Sequence, residues 1–193
     1  KELVSAAKFT VFFIDEDQRV TLSDIGEIQE IRKWAEHFGA NITELSLSSQ
    51  FRCNGSDGYL AWLDNILDIR PTANIDLGES NYDFRVMSSP TELRSKVIER
   101  NEINNKSRMV AGYCWKWPSA KDPNAFDIEI DGFKAKWNLK TDGQAWIIKP
   151  NSVNEVGCIH TCQGLELDYV GVIIGPDLVV RNGKVITDAT KRA

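Results

Sequence analysis

Apolar positions along the chain fall into short blocks whose spacing alternates between strand and helix. Phe9-Thr10-Val11-Phe12-Phe13-Ile14 is a run of β-forming residues closed by the acids Asp15, Glu16 and Asp17. Such a run predicts a buried parallel strand, and its polar exit is the first place to seek chemistry. Ile25, Ile28, Ile31, Trp34 and Phe38 then recur at helical spacing, with Gly39 placed to end the helix. Ile42 to Leu47 alternate as a strand would, Ser48 to Arg52 read as a loop, and Tyr59 to Leu67 as a helix. Ser89-Pro90-Thr91-Glu92 joins a hydroxyl cap, a first-turn proline and a glutamate three residues past the cap, ahead of Leu93, Val97 and Ile98. Together these predict one helix start.

Further on, Met109 to Trp115 predicts a core strand. Phe126 to Ile130 and Phe133 to Trp137 flank Asp131-Gly132, a strong hairpin signal, here read as an insertion. Strands are expected near Ala145 to Ile148 and Tyr169 to Ile174, bracketing Gly157 to Glu166, and Asn182-Gly183 predicts a last hairpin between Val179 and Ile186. Strands and helices alternate, so the fold class is α/β, with a mainly parallel central sheet flanked by helices and β-hairpin insertions.

Composition narrows the function classes. The 193 residues are 42% hydrophobic and 26% charged, an ordinary globular balance for about one domain, without an apolar run long enough to cross a bilayer. The opening KELVSAAKFTVFFIDED carries no signal-peptide cleavage pattern and reads as cut from a longer chain. Cys53, Cys114, Cys158 and Cys162 are too scattered for a secreted disulfide framework and fit a reducing cytoplasm. A net charge of -5 argues against a surface that coats itself in phosphate backbone and leaves only a local groove for nucleic acid.

Three separated segments carry candidate chemistry: Phe13-Ile14-Asp15-Glu16-Asp17-Gln18, Leu47-Ser48-Ser49-Gln50-Phe51-Arg52, and His160-Thr161-Cys162-Gln163-Gly164-Leu165-Glu166. As an ordered set they resemble the motor of superfamily-one helicases. The likeness is nearest to bacterial proteins grouped with Schlafen-type DNA/RNA helicase domains, and IDEDQR, SQFRC, AGYCWKW, GCIHTCQGLE and DYVGVIIG extend it over nearly the whole chain.

The resemblance implies a RecA-like P-loop NTPase lobe, with residues 1–25 closing a first lobe and 26–193 forming most of a second. It implies ATP and Mg2+ as cofactors, single-stranded DNA or RNA as partner, and a first RecA-like lobe elsewhere in the same chain. Gln18 would sense the terminal phosphate, because a carboxamide donates to a phosphate oxygen and accepts from water without a fixed charge. Arg52 would be an arginine finger, always ionised and suited to charge spread over a transferring phosphoryl. Asp15, Gln50, Phe51, Gly164 and Glu166 would line the nucleotide, with Glu166 on the ribose hydroxyls and Gly164 against the phosphates. His160 and Thr161 would contact the nucleic-acid backbone or relay movement. Leu167 stands where the family more often has phenylalanine.

Each assignment has an alternative. Asp-x-x-Gln is also an ordinary polar strand end, an isolated arginine is usually half of a surface ion pair, and Asp15-Glu16 could be the magnesium-holding acidic pair instead. Cys158, His160 and Cys162 sit too close together to encircle zinc tetrahedrally. Trp115 and Trp117 flank Lys116, near Arg108, Lys121, Lys134 and Lys136. They could form a platform for single strands, with Trp117 alternatively a strand-end anchor and Trp115 a core residue. The phosphate-cradling G-x-x-x-x-G-K-[ST] loop does not occur in these 193 residues, so the chain alone is expected to show negligible ATPase activity. A reading from another class is a non-catalytic RecA-like docking or sensor module in a regulatory or defence protein.

Overall fold

The computed structural model describes residues 1–16, 26–46, 57–78, 82–138, 141 and 143–193. The chain divides into two compact units, Lys1–Ser49 and Gln50–Ala193.

In the first unit, α1 (Glu2–Ser5) and α2 (Ile28–His37) are the regular elements among the described residues. Helix α2 ends as its sequence predicts, with Gly39 at φ 65° and its N–H donating to the Glu36 carbonyl at 2.9 Å. At its start the Ile28 N–H donates to Glu16 Oε1 at 2.9 Å, so an acid from the 15–17 cluster satisfies an orphan amide at the helix's positive end. The expected buried strand over 9–14 does not form: Phe9 is 84% and Phe13 88% exposed. The strand expected over 42–47 is also missing through residue 46, with Leu45 91% exposed, and Leu47 lies outside the described residues. An apolar run becomes a strand only where a neighbour completes its hydrogen-bond ladder and a layer covers its face, and the described part of this unit supplies neither.

The second unit holds the sheet. After α3 (Asp57–Ile66), helix α4 (Pro90–Asn104) starts where predicted, with Ser89 Oγ accepting from the Glu92 N–H at 3.1 Å. The reciprocal bond of the capping box is displaced by one residue: Glu92 Oε2 accepts from the Ser88 N–H at 3.0 Å and its hydroxyl at 2.6 Å. Strands β1 (Ser107–Ala111), β4 (Val156–Cys158) and β5 (Tyr169–Ile173) form a three-stranded, wholly parallel sheet in the order β4-β1-β5. Helix α4 covers one face. A Cβ on Gly171 would lie 2.7 Å from Val97 Cγ2 and 3.1 Å from Leu93 Cδ1, so the close seat of α4 on β5 requires glycine there.

Both expected hairpins form, β2 (Ile128–Ile130) with β3 (Phe133–Ala135) and β6 (Leu178–Arg181) with β7 (Lys184–Thr187). Asp131 and Asn182, with their following glycines, take the positive φ that two-residue turns need. The first hairpin belongs to the core: Ile128, Phe133 and Ala135 are buried with Val97, Met109, Val156 and Ile173. Beyond it, Trp137 bridges Val156 in parallel and so adds to the sheet's β4 edge.

The strand expected over 145–148 is a 3-10 turn, Gly143–Ile148. Two side chains hold it out of the ladder. Trp146, fully buried, donates its indole N–H to Glu155 Oε2 at 2.9 Å. The Arg108 guanidinium, also fully buried, donates to the Ile147 carbonyl, to Ser152 Oγ at 2.9 Å, to Asn101 Oδ1 at 2.6 Å and to the Ser107 carbonyl at 2.7 Å. Burial lowers the Arg108 pKa, and the Glu155 carboxylate works against that shift. Arg108 is therefore an internal brace and no part of a single-strand platform. Among the described residues, no helix is long and apolar enough to cross a membrane.

Candidate functional site

Strand β4 ends at Cys158, which takes extended backbone and leads into the single turn α5 (Ile159–Cys162). That turn is placed at the carboxyl end of a parallel strand, where open α/β sheets bind ligands. It closes through Gln163 N–H to the Ile159 carbonyl and Leu165 N–H to the Cys162 carbonyl, both at 3.1 Å, and Gly164 follows with φ 82°. Among the described residues other than its chain neighbours, no atom lies within 4 Å of where a Gly164 Cβ would stand, so this backbone is open to close approach.

Asn138, only 1% exposed, fixes the turn. Its Oδ1 accepts from the Cys158 N–H at 3.0 Å, its Nδ2 donates to Thr161 Oγ1 at 2.8 Å, and its own N–H donates to the Val156 carbonyl at 2.9 Å. One amide side chain thus joins the last residue of β4 to the third residue of α5. Asp127 holds the segment in turn, with Oδ2 accepting from the Trp137 N–H at 2.8 Å and from Ser119 Oγ at 2.6 Å. Beneath the turn, a Cβ on Gly157 would meet Cys162 Sγ at 2.6 Å and the Trp146 ring at 2.7 Å, so only glycine lets both pack on β4.

Aromatic residues complete the surroundings. Tyr113, just past β1, shares a 2.8 Å hydrogen bond between its hydroxyl and His160 Nδ1, their ring centroids 5.7 Å apart. Its ring lies 6.0 Å from Trp137, which lies 6.1 Å from Trp117. Burial pushes the Tyr113 hydroxyl above its usual range, and its hydrogen bond to Cys158 adds to the shift. At Cys158 burial alone would raise the thiol, but hydrogen bonds from Thr161 and Tyr113 and from nearby backbone outweigh it, and the net shift is downward. Cys162 is pushed up to about 12, first by burial and then by the neighbouring Cys158.

His160, Thr161, Gly164 and Glu166 therefore share one short segment. His160, Gly164 and Glu166 are exposed, whereas Thr161 is half-buried with its hydroxyl between Asn138 and Cys158 Sγ, 3.4 Å from the latter. Trp117 joins the cluster through Trp137 and, like Trp115, packs partly buried against the core. Asp15 is exposed in the first unit. Gln18, Gln50, Phe51 and Arg52 lie outside the described residues. Sequence reasoning missed Asn138, Tyr113 and Gly157. Tyr113 and Gly157 fall inside the strings AGYCWKW and GCIHTCQGLE that carry the resemblance, but the roles of Tyr113 and Asn138 depend on partners 47, 20 and 23 positions away.

The family model for the Schlafen group 3 DNA/RNA helicase domain matches residues 1–193. The chain belongs to this family. It is also similar to the uncharacterized protein YPL245W of Saccharomyces cerevisiae (strain ATCC 204508 / S288c), at 24% identity over 204 residues, covering 91% of this chain and 43% of the yeast protein. The chain thus spans less than half the length of that relative. No solved structure matches. Membership of a helicase-domain family points to a helicase-like, nucleic-acid-related role, and the turn after β4 is the candidate place for it.

Proposed function

We propose that this domain contributes to an ATP-dependent nucleic-acid motor of the superfamily-one type, residues 1–25 ending one RecA-like lobe and 26–193 forming most of the next. The observation that carries the reading is that His160 and Thr161 lie in a single turn at the carboxyl end of a parallel strand, with Gly164 and Glu166 in the short segment that follows it, in a chain of a helicase-domain family. In this reading Glu166 holds the ribose hydroxyls and Gly164 admits the phosphates, consistent with the open space over its backbone. Asp15, Gln50 and Phe51 complete the nucleotide contacts. Arg52 places a permanent positive charge on the transferring phosphoryl, and Gln18 reports the presence of the terminal phosphate. When bound, ATP with Mg2+ supplies the phosphoryl group whose transfer drives the motor. His160, and Thr161 through the turn it anchors, pass movement to a single strand of DNA or RNA, with Trp117 at the margin.

The experiment is ATP hydrolysis by the full-length protein with and without single-stranded nucleic acid. Arg52→Ala is expected to lower strand-stimulated turnover by about 10³-fold or more, the range typical of arginine fingers, and Gln18→Ala to lower it less. Unchanged rates in both variants would overturn the proposal and favour a docking or sensor module.

A further inference from the structure

Helix α4 and the β2–β3 hairpin enclose an open groove of about 510 Å³, lined by Arg94, Phe126, Lys134, Lys136, Asn151 and Asn154 among others. Residues Asn151 to Glu155 run directly into the amino end of β4, so this groove and the His160 turn lie at opposite ends of that strand. Its charge is opposite to that of the chain. Its lining carries three cations and one carboxylate, Glu155, whose Oε2 already accepts from Trp146, with Glu129 beside Lys134 at the margin, whereas the whole chain carries -5.

The cations are organised around an aromatic ring. Phe126 is 41% exposed, and the ammonium groups of Lys134 and Lys136 lie 5.6 and 5.7 Å from its centroid. Arg94 is held in place: its two terminal nitrogens donate to the Lys134 and Asn154 carbonyls, each at 3.1 Å, and its guanidinium lies 5.7 Å from the Phe133 centroid. Lys134 pairs with Glu129 at 3.1 Å, but both side chains are about half exposed, so that pair opens at little cost. The Lys136 ammonium donates to the Pro123 carbonyl and keeps further donors. A fixed guanidinium, the Lys134 ammonium freed from its exposed pair, the remaining donors of Lys136 and a partly open ring match a phosphodiester chain bearing a flat base, since stacking on an aromatic tolerates any base and the cations track the backbone. An acidic peptide would use the cations and leave the ring without a stacking partner.

We propose that this groove is a second binding surface for single-stranded nucleic acid, with Arg94, Lys134 and Lys136 on phosphates and a base stacked on Phe126. The inference rests on the nucleic-acid reading above and extends it to a surface that the three sequence segments do not include.

The test measures binding of a fluorescein-labelled twelve-nucleotide oligothymidylate to the full-length protein by anisotropy, without ATP, across a salt series. The Lys134→Gln/Lys136→Gln double variant is expected to bind at least ~10-fold more weakly and to shallow the log–log salt slope by about 1.4, roughly 0.7 for each phosphate that is no longer neutralised. Phe126→Leu, which keeps an apolar side chain against the hairpin, is expected to bind about 5-fold more weakly or worse. Thermal melts matched to the parent exclude unfolding as the cause. Parent-like binding by both variants, with weakening only in His160→Ala, overturns the groove and leaves the motor reading standing. Failure of the parent chain to bind overturns the groove and removes its nucleic-acid premise. Equal binding of a polyglutamate peptide, or full competition by inorganic phosphate at equal charge concentration, also overturns it. Weakened binding in the groove variants beside unaltered hydrolysis in Arg52→Ala would keep the groove and discard the motor.

Discussion

Replacing Asn138 by alanine tests the clamp on the candidate site directly. The substitution removes two hydrogen bonds, from the Cys158 N–H at 3.0 Å and to Thr161 Oγ1 at 2.8 Å. The Cys158 residue is 4% exposed, so its amide is left buried without its acceptor, at about 1–3 kcal/mol. Loss of the Thr161 bond adds about 1 kcal/mol, moderated by the interaction that the hydroxyl keeps with Cys158 Sγ. The total is about 2–4 kcal/mol. With a urea dependence of roughly 2 kcal/mol per molar, the midpoint of the unit carrying the sheet should fall by about 1–2 M. Tryptophan fluorescence reports this well, because buried Trp137 and Trp146 flank the clamp in that unit. Thr161→Val should cost about 1 kcal/mol alone, and the double variant should cost less than the two singles together, since both remove one shared bond. Amide exchange at Cys158 should accelerate in Asn138→Ala. A midpoint within about 0.2 M of the parent, or unaltered exchange at Cys158, refutes the assignment of Asn138 as the clamp.

Two further outcomes follow from buried groups. Arg108→Met should destabilise the protein by about 2–5 kcal/mol, because it removes the guanidinium's bonds to the Ile147 and Ser107 carbonyls, Asn101 Oδ1 and Ser152 Oγ and leaves the Ile147 carbonyl and Asn101 Oδ1 with one 3.3 Å bond each, from Asn105 Nδ2 and the Ser107 N–H; a melting temperature equal to the parent's would show that the brace carries no load. Stability should fall as pH rises above about 9, because Cys162, held up to about 12, and Tyr113, raised by burial, keep protons in the fold that the unfolded chain releases. Cys158 is shifted the other way and opposes this trend. Cys162→Ala should therefore flatten the alkaline decline in melting temperature between about pH 8.5 and 10.5, and an unchanged slope would contradict the shift assigned to that thiol.

The parts of the fold that could be read from sequence are those whose causes are local. Ser89 to Glu92 specifies the start of α4 within four residues, and Asp131-Gly132 and Asn182-Gly183 specify their hairpins by backbone chirality. The failures have the opposite character. Phe9–Ile14 and Ala145–Ile148 look like strands, but whether an apolar run joins a sheet depends on a partner that periodicity does not name. In the second case a buried arginine 39 positions away takes the Ile147 carbonyl. The site divides in the same way. The segment from His160 to Glu166 is visible as a contiguous string, whereas its support from Asn138, Tyr113 and Gly157 arises from packing across the sheet.

The parallel arrangement also sets the order in which the molecule can assemble. Met109 finds its neighbours at Val156 and Gly171, far along the chain, whereas each hairpin closes around two residues. Hairpins form in about 1–10 μs, but pairings across such long loops come late, because the closing entropy is spent before any stabilising neighbour is reached. The shelf that carries His160 therefore depends on the longest closures in the molecule, and slowing them should delay its formation more than that of either hairpin.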